Sequence, residues 1–476
     1  MREPPPVPDY RARSFGVSRI LAVALFAINV VACATDTPNP TAPQIPEVRQ
    51  PDANVEDENA IVVSNSAELI AALAPENAGR RIRVLAGNYS ITQPLTVPDG
   101  VTLEGEGIML FDGEGLPTGF ATGTGTTLTM TANTPGNVLT LGDHVTVRRI
   151  ALVDIAGRAG NVIGVVSRAP GDRIFATVEE VEIFNPNTHL VLPSGATGCG
   201  LYVVTLNPNL GSDPPPHAGA AITTRMTRSV IRSTATGVAC GLQAFNFAPV
   251  ASVSVALAGN VVGGGIIASG GVSRTDAVHD SRTDIRSRHN LYRNDSPNLC
   301  LPLRSGWNAQ GGSGPPAPLP VGETRNNTLL LYSLADRIEG FTTGVNAAGG
   351  RRFFAAPTAG PTTGNSVDLK LIGTTITTPA CGGASLVADL RLAGAFVAGA
   401  FAPGDNNTLR AVIHRVTGSG SRANVYANVL GPAGPVSPAL QGTGNRLEIT
   451  GSRQAFLQTN QAIDPAPGPA FFHNQH

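Results

Sequence analysis

The chain has 476 residues, 42% of them hydrophobic, 14% charged and 5% aromatic, with 55 Gly and 38 Pro. Average proteins carry about 25% charged residues, so charge this sparse argues against a helical bundle or coiled coil. The apolar content and a net charge of −1 exclude a disordered chain. Lys370 is the one lysine, so positive charge is almost all arginine, whose planar fork suits carboxylate, sulfate or phosphate groups. No half of the chain has the basic excess expected of a nucleic-acid partner.

Residues 1–32 read as an export signal. Arg11, Arg13 and Arg19 precede an apolar run, residues 20–31, too short for a stop-transfer helix. The run ends in Val30-Val31-Ala32-Cys33, which resembles the lipobox of bacterial lipoproteins. That resemblance implies lipidation at Cys33 and attachment to the cell envelope. Ala34 after the cysteine leans toward the outer membrane or cell surface. Acyl chains supply the anchor, so the membrane is a partner without a spanning helix.

Residues 33–60 form a tether rich in Pro, Asp and Glu, with little to bury. The body that follows, from Ile61, carries 28 basic and 26 acidic residues. Export sets an oxidising compartment for Cys199, Cys240, Cys300 and Cys381, an even count that favours two disulfides over a zinc site, which would want closer spacing.

At Ile61 the composition changes. A strand leads into a short amphipathic helix with Ser66 as N-cap and Leu69, Ile70 and Leu73 on one face. Strands follow at 82–85, 89–91, 95–97 and 101–103, punctuated by Gly87 and Asp99-Gly100. This stretch of about 45 residues, with its I-x-V-x-x-G-x-Y-x-I and P-L-x-V-P-x-G-V-T-L-x-G-x-G strings, resembles the entry to right-handed parallel β-helix proteins of the pectate-lyase-like superfamily. The resemblance implies an all-β, single-stranded right-handed parallel β-helix with an N-terminal capping helix, here over residues 61–460.

Two classes of β-rich run then alternate along the chain. One comprises NVLTL, NVIGVV, CGLYVV, CGLQAF and GGIIAS, starting at 137, 161, 199, 240 and 264. The other includes VTVRRIALVDI, ATVEEVEIF, TTRMTRSVIR, VSVALAGNVV, TDIRSRHNLY, VDLKLIGTTI, TLRAVIHRV and RLEITGS. Each unit buries its apolar face only by stacking on the next, and a narrow interior favours Val, Ile, Leu and Ala over large rings. Propeller blades would need aromatic signatures at a period of about 40–50 residues, and these are missing. Cys199 and Cys240 open the same Cys-Gly-Leu string, so neighbouring strands about 4.8 Å apart would allow a disulfide. Cys300 and Cys381 pair only by elimination.

Gly/Pro-rich loops at 207–219, 308–322 and 346–364 interrupt the repeat and carry little charge, with Asp213, His217, Arg351 and Arg352 as the exceptions. In the resembled superfamily such loops wall a substrate groove; solvated insertions remain the alternative. The densest polar cluster is 273–295. A strand over 283–292 would place Asp284, Arg286, Arg288 and Asn290 or Tyr292 outward, with Ile285, Ser287, His289 and Leu291 inward.

Asp280, Asp284, Arg286, Arg288 and His289 are the catalytic candidates. The resemblance implies a polysaccharide lyase or glycoside hydrolase, and a lyase would use Asp-bound Ca²⁺ with a base removing the proton beside a uronate. No string matches the superfamily's lyase or hydrolase signatures, and a charge-balanced surface explains the cluster equally. His289 reads as an interior histidine before it reads as a base. Tyr292, Arg293 and Trp307 are the binding candidates, and Tyr202 and Phe245 are other rings that could stack on sugar.

Residues 461–476 lose the repeat and read as a tail in which Phe471 and Phe472 close the last coil. The expectation is a monomeric, exported, lipid-anchored β-helix that binds or processes an acidic polysaccharide. The alternative is a non-catalytic structural or adhesive solenoid.

Overall fold

The computed structural model describes residues 59–123, 125–188, 198–206, 217–235, 239–273, 277–295, 305–314, 322–352, 362–379, 388–397, 405–418, 422–426, 430–431, 434–435, 444–451, 462–463 and 470–474. The export signal with Cys33, almost all of the tether, and Cys300 and Cys381 lie outside them.

The first strand, Ile61–Val63, leads into the helix Ser66–Ala72. Asn65, one residue before the expected Ser66, is the N-cap, and its side chain accepts from the Glu68 amide at 3.0 Å. The Glu68 carboxylate accepts in turn from the Ser64 amide at 2.7 Å and hydroxyl at 2.9 Å, a reciprocal cap that satisfies otherwise orphaned donors. Leu69 and Leu73 are buried against the first coil, but Ile70 is 39% exposed. One step of about 100° along a helix of 3.6 residues per turn is enough to carry it off the apolar face.

Beyond the helix the chain winds through three long parallel sheets. Sheet 1 has 13 strands, sheet 2 has 10 and sheet 3 has 11 among the described residues, each strand pairing with its counterpart in the next coil. The fold is a single-stranded parallel β-helix. The first class of sequence run forms sheet 3, in strands such as Leu139–Leu141, Ile163–Val166, Cys199–Thr205, Cys240–Asn246 and Gly265–Val272. Most of the second class splits between sheets 1 and 2. Arg173–Glu179 lies in sheet 1 and Glu182–Asn185 in sheet 2, and Arg282–Arg288 and Leu291–Arg293 divide in the same way.

The division has one cause. The eleven described non-glycine residues with positive φ all sit where the chain enters or leaves sheet 1: His144, Val250, Asp280, Asn326 and Asn406 on entry, Arg149, Glu180, Arg228, His289, Ala335 and Arg415 on exit. A single left-handed residue costs an L-amino acid about 1–2 kcal/mol but turns the strand sharply. The exit residue's amide is not lost, because it donates to the next coil, as from His289 to Leu334 O at 2.9 Å and from Ala335 to Ile372 O at 2.8 Å.

Inside, alternate residues of each strand stack in rows such as Ile222, Val253, Thr283, Leu329, Val367, Leu409 and Leu447. Fully burying one such aliphatic side chain contributes about 1.5–3 kcal/mol. The corners are polar instead. Asn327, Asn365, Asn407 and Asn445 follow the entry corners. The amide oxygens of Asn365, Asn407 and Asn445 each accept from the backbone and side chain of the Asn one coil earlier at 2.9–3.2 Å, and that of Asn327 accepts from the Ser281 amide at 3.0 Å. Asn260, Asn290 and Asp336 form a shorter ladder at the exit corners. These ladders satisfy amides that a tight bend would otherwise bury without partners.

Gly312 faces the Asn365 amide across the interior, and a Cβ there would lie 2.5 Å from its Cγ. Gly271 and Gly350 stand in the same relation to Asn327 and Asn407, which accounts for the recurring Gly-Gly pairs of sheet 3. Cys199 and Cys240 are Cα partners in that sheet, 4.6 Å apart and joined by a disulfide.

The repeat also continues past residue 460. Ala462–Ile463 extends sheet 3, and Ala470–Asn474 pairs with Arg446–Gly451 in sheet 1, placing Phe471 and Phe472 on the last strand of that sheet. The expected tail thus contributes strands to the stack.

Candidate functional site

Ligand can reach a solenoid only on an outer face that nothing else covers. Sheet 2 is covered over several coils by an antiparallel hairpin, Met109–Phe111 with Pro117–Phe120. Met109 and Leu116 pack on Val230, Val261 and Leu291. The Phe120 amide donates to Glu182, which also accepts from Arg232, while Arg337 binds Glu114 at 2.6 Å. On sheet 3, the outward Tyr202, Val204 and Phe245 are buried in a second cluster with Phe247 and Val272. Tyr202 and Phe245 are therefore not free to stack on a sugar.

Among the described residues no comparable layer covers sheet 1, but its first coils are electrostatically closed. Glu104, whose side chain is 7% exposed, binds Arg81, Arg148 and Arg149. Burial pushes its pKa up, but the hydrogen bonds and charges of Arg148 and Arg81 outweigh that and leave it below the ordinary range. Arg83 pairs with Glu106, and Arg228 with Glu179 and Glu180.

From Ala221–Thr227 onward the face changes. Strands Ala221–Thr227, Ser252–Ala258, Arg282–Arg288, Thr328–Leu334, Ser366–Ile372 and Thr408–His414 are successive neighbours. Their register brings Arg225, Ala256, Arg286, Tyr332, Lys370 and Val412 into one outward row. Thr227, Ala258, Arg288, Leu334, Ile372 and His414 form the row beside it, and Thr223, Ser254, Asp284, Leu330, Asp368 and Arg410 the row on the other side.

Small side chains at Ala256 and Ala258 leave a shallow depression of about 390 Å³ bounded by Arg225, Arg286, Arg288 and Tyr332. A second, of about 670 Å³, runs on past Asp284, Leu330, Tyr332, Lys370 and Arg410. They share Arg286 and Tyr332, so together they make one trough. At about 4.8 Å per strand it is about 24 Å long.

These six strands carry Arg225, Arg282, Arg286, Arg288, Lys370 and Arg410 against Asp284 and Asp368, a local excess of positive charge in a chain of net charge −1. Asp284 is shared by Arg286 at 3.3 Å and Arg282 at 3.8 Å, and Arg410 pairs with Glu448 at 3.0 Å. Arg225, Arg288 and Lys370 have no carboxylate partner among the described residues. Such a surface can attract anions and hold them with forked donors.

The sequence candidates separate accordingly. Asp284, Arg286 and Arg288 share the outward face as expected. His289 does not point inward, because it is the left-handed exit residue, φ 52°, exposed at the corner. That bend reverses the alternation, so Asn290 and Tyr292 turn inward while Leu291 lies under the hairpin. Asp280 is the entry-corner residue, and its hydrogen bond from His279 holds its carboxyl below the ordinary range.

Two of the three binding candidates, Tyr292 and Trp307, are buried. Tyr292 is fully buried, with its hydroxyl 2.7 Å from Ser287 Oγ, and burial raises its pKa well above the ordinary value. Trp307 is fully buried and meets Tyr292 edge to face, with ring centres 5.4 Å apart. Arg293 lies in sheet 2, paired with Asp295 at 2.7 Å. Arg225, Tyr332, Lys370 and Arg410 complete the trough. They lie too far apart in sequence for a local reading to join them, and only the coil register could have shown it.

A calcium ion does not fit this face. Asp284 and Asp368 are two coils apart, about 9.6 Å along the sheet, whereas Ca²⁺ gathers oxygens at about 2.3–2.6 Å. Among the described residues no three His, Cys, Asp or Glu side chains converge as a metal site.

The chain matches no family model and no curated protein. Its matches among solved structures are of low similarity. The catalytic unit of a thermostable GH87 α-1,3-glucanase from Streptomyces thermodiastaticus strain HF3-3 is 13% identical, with 85% of this chain and 68% of that one covered and a TM-score of 0.29. A point mutant of the PL6 family alginate lyase AlyGC is 11% identical, with 85% and 75% covered and a TM-score of 0.18. At these scores the likeness bears on neither site residues nor substrate.

Proposed function

We propose that the protein is an exported, lipid-anchored β-helix that binds an extended acidic polysaccharide along the open face of sheet 1. One observation carries this reading: Arg225, Arg286 and Arg288 surround an alanine floor, and among the described residues Arg225 and Arg288 have no carboxylate partner. An anion placed there gains forked hydrogen bonds without having to displace an existing ion pair at Arg225 or Arg288. A polymer suits the trough because the trough spans six coils. A nucleic acid suits it less, since among the described residues that line it Tyr332 is the one aromatic side chain and single-strand binding relies on successive stacked bases.

The binding is assigned no bond-breaking step. His289 and Asp280 stand at the corners of the sheet, and Asp284 is held by two arginines. The export signal and Cys33 supply the anchor.

Titration calorimetry against uronate-bearing and neutral polysaccharides tests the reading. Binding should be confined to the acidic chains, weaken as salt rises, and fall at least about tenfold in R225A/R286A/R288A, at about 1 kcal/mol per lost contact. Equal binding of neutral chains, or tighter binding of single-stranded DNA, would contradict it. No binding at all would leave the structural or adhesive solenoid. Cys33→Ser should abolish incorporation of a labelled fatty acid; retained label would remove the anchor from the account.

A further inference from the structure

The central row of the trough alternates. Arg225, Arg286 and Lys370 occupy every second coil, and Ala256, Tyr332 and Val412 fill the coils between and beyond. No register shift interrupts these pairings, so the spacing is set by the hydrogen-bonded ladder and not by flexible loops. Two strand steps give about 9.6 Å between successive cations. That is the length scale of a disaccharide, not of a single sugar.

The coils between are chemically distinct as well. Ser252–Ala258 presents Ser254, Ala256 and Ala258 outward, and Thr328–Leu334 presents Leu330, Tyr332 and Leu334. Neither carries a charge. Two of the three coils that carry a central-row cation add an acid beside it, Asp284 next to Arg286 and Asp368 next to Lys370. Asp284 lies within 3.4 Å of the Arg286 guanidinium and restrains it.

We infer that the trough selects a linear polyanion with one negative group per disaccharide, lying along the helix axis with its anions on Arg225, Arg286 and Lys370. The inference rests on the polysaccharide-binding reading above and adds a spacing rule to it. A chain charged on every sugar would set half its anions over Ala256 and Tyr332. There they lose water without gaining a partner.

The probes are size-matched oligosaccharides of hyaluronan, one carboxylate per disaccharide, and of polygalacturonate, one per sugar. Wild-type protein should prefer hyaluronan by at least about fivefold in Kd, the scale of one exposed ionic contact. Exchanging the central residues, Arg286→Tyr with Tyr332→Arg, keeps composition and net charge but moves the cation one coil. It should erase the preference while thermal melting stays unchanged. Ala256→Arg, at an exposed position, fills an uncharged coil and should improve polygalacturonate binding selectively.

Equal affinity of wild-type protein for both probes, unaltered in the exchange variant, would overturn the spacing rule and leave polysaccharide binding standing. Failure to bind either probe or any other acidic chain would overturn both.

Discussion

Asn365 offers the sharpest test of what holds the coils in register. Its side chain accepts from the Asn327 amide at 3.0 Å and from Asn327 Nδ2 at 3.0 Å. It donates to Thr324 O at 3.1 Å and Asn407 Oδ1 at 3.1 Å. In Asn365→Ala, Asn407 Oδ1 still accepts from the Asn365 amide, and Asn327 Nδ2 keeps Val278 O. The Asn327 backbone N–H and one of its side-chain protons are left without acceptors at a fully buried position. At about 1–3 kcal/mol for each orphaned group, the substitution should cost about 3–5 kcal/mol in urea or thermal unfolding.

Gly312→Ala provides an internal check, because its new Cβ would lie 2.5 Å from Asn365 Cγ. That clash disappears once the amide is gone. The double variant should therefore be less destabilised than the two single effects summed, a coupling of the kind shown by neighbours that share a site. A cost below about 1 kcal/mol for Asn365→Ala, or strict additivity with Gly312→Ala, would refute the ladder as a source of stability.

Further predictions concern charge, cross-link and hairpin. Glu104 has a lowered pKa in the fold, so its contribution should be present above its ordinary value of 4.5 and lost as pH falls through the folded value. Glu104→Gln should remove that acid-dependent component in melts between acid and neutral pH. Asp336 behaves oppositely: burial raises its pKa despite hydrogen bonds from Ser333 and Asn290, so its contribution is present below 3.8 and lost as pH rises through the folded value. Asp336→Asn should flatten that limb, and unaltered pH profiles in both variants would contradict the assignments. Replacing Cys199 and Cys240 by Ser opens a cross-link across 41 residues and should cost about 3 kcal/mol, with reductant lowering the wild-type Tm to match; a reductant-insensitive melt would count against it. Glu182→Ala removes the acceptor of the Phe120 amide and the partner of Arg232, so proteolysis at the turn 112–116 should accelerate while the global melt hardly moves. Unchanged cleavage would mean that apolar packing alone holds the hairpin.

Strands were legible because the two-residue alternation of a half-buried strand survives in short runs, and the Cys-Gly-Leu repeat placed Cys199 opposite Cys240. Corners were not legible. The left-handed positions hold Arg149, Glu180, His289 and Ala335 as readily as Gly259 and Gly373, so no residue type announces them. A strand carried straight through His289 puts every side chain beyond it on the wrong face, Tyr292 toward solvent among them.

Trp307 misled differently. A lone tryptophan belongs to no periodic pattern that would say which face it takes, and here it fills the interior against Tyr292. The hairpin left a faint signal, the Asp112-Gly113 turn between apolar pairs. The trough left almost none, because its cations belong to four coils separated by loops of unequal length.

Arginine footprinting puts the central claim to its most direct test. The folded protein would be treated with an arginine-selective dicarbonyl, with and without an acidic oligosaccharide, and the modified peptides quantified by mass spectrometry. Bound ligand should protect Arg225, Arg286 and Arg288 while leaving Arg148, Arg293 and Arg446 as reactive as in the free protein. Protection confined to sheet 2 or to the first coils of sheet 1, or no ligand-dependent protection under saturating conditions, would contradict a binding trough on the open face of sheet 1.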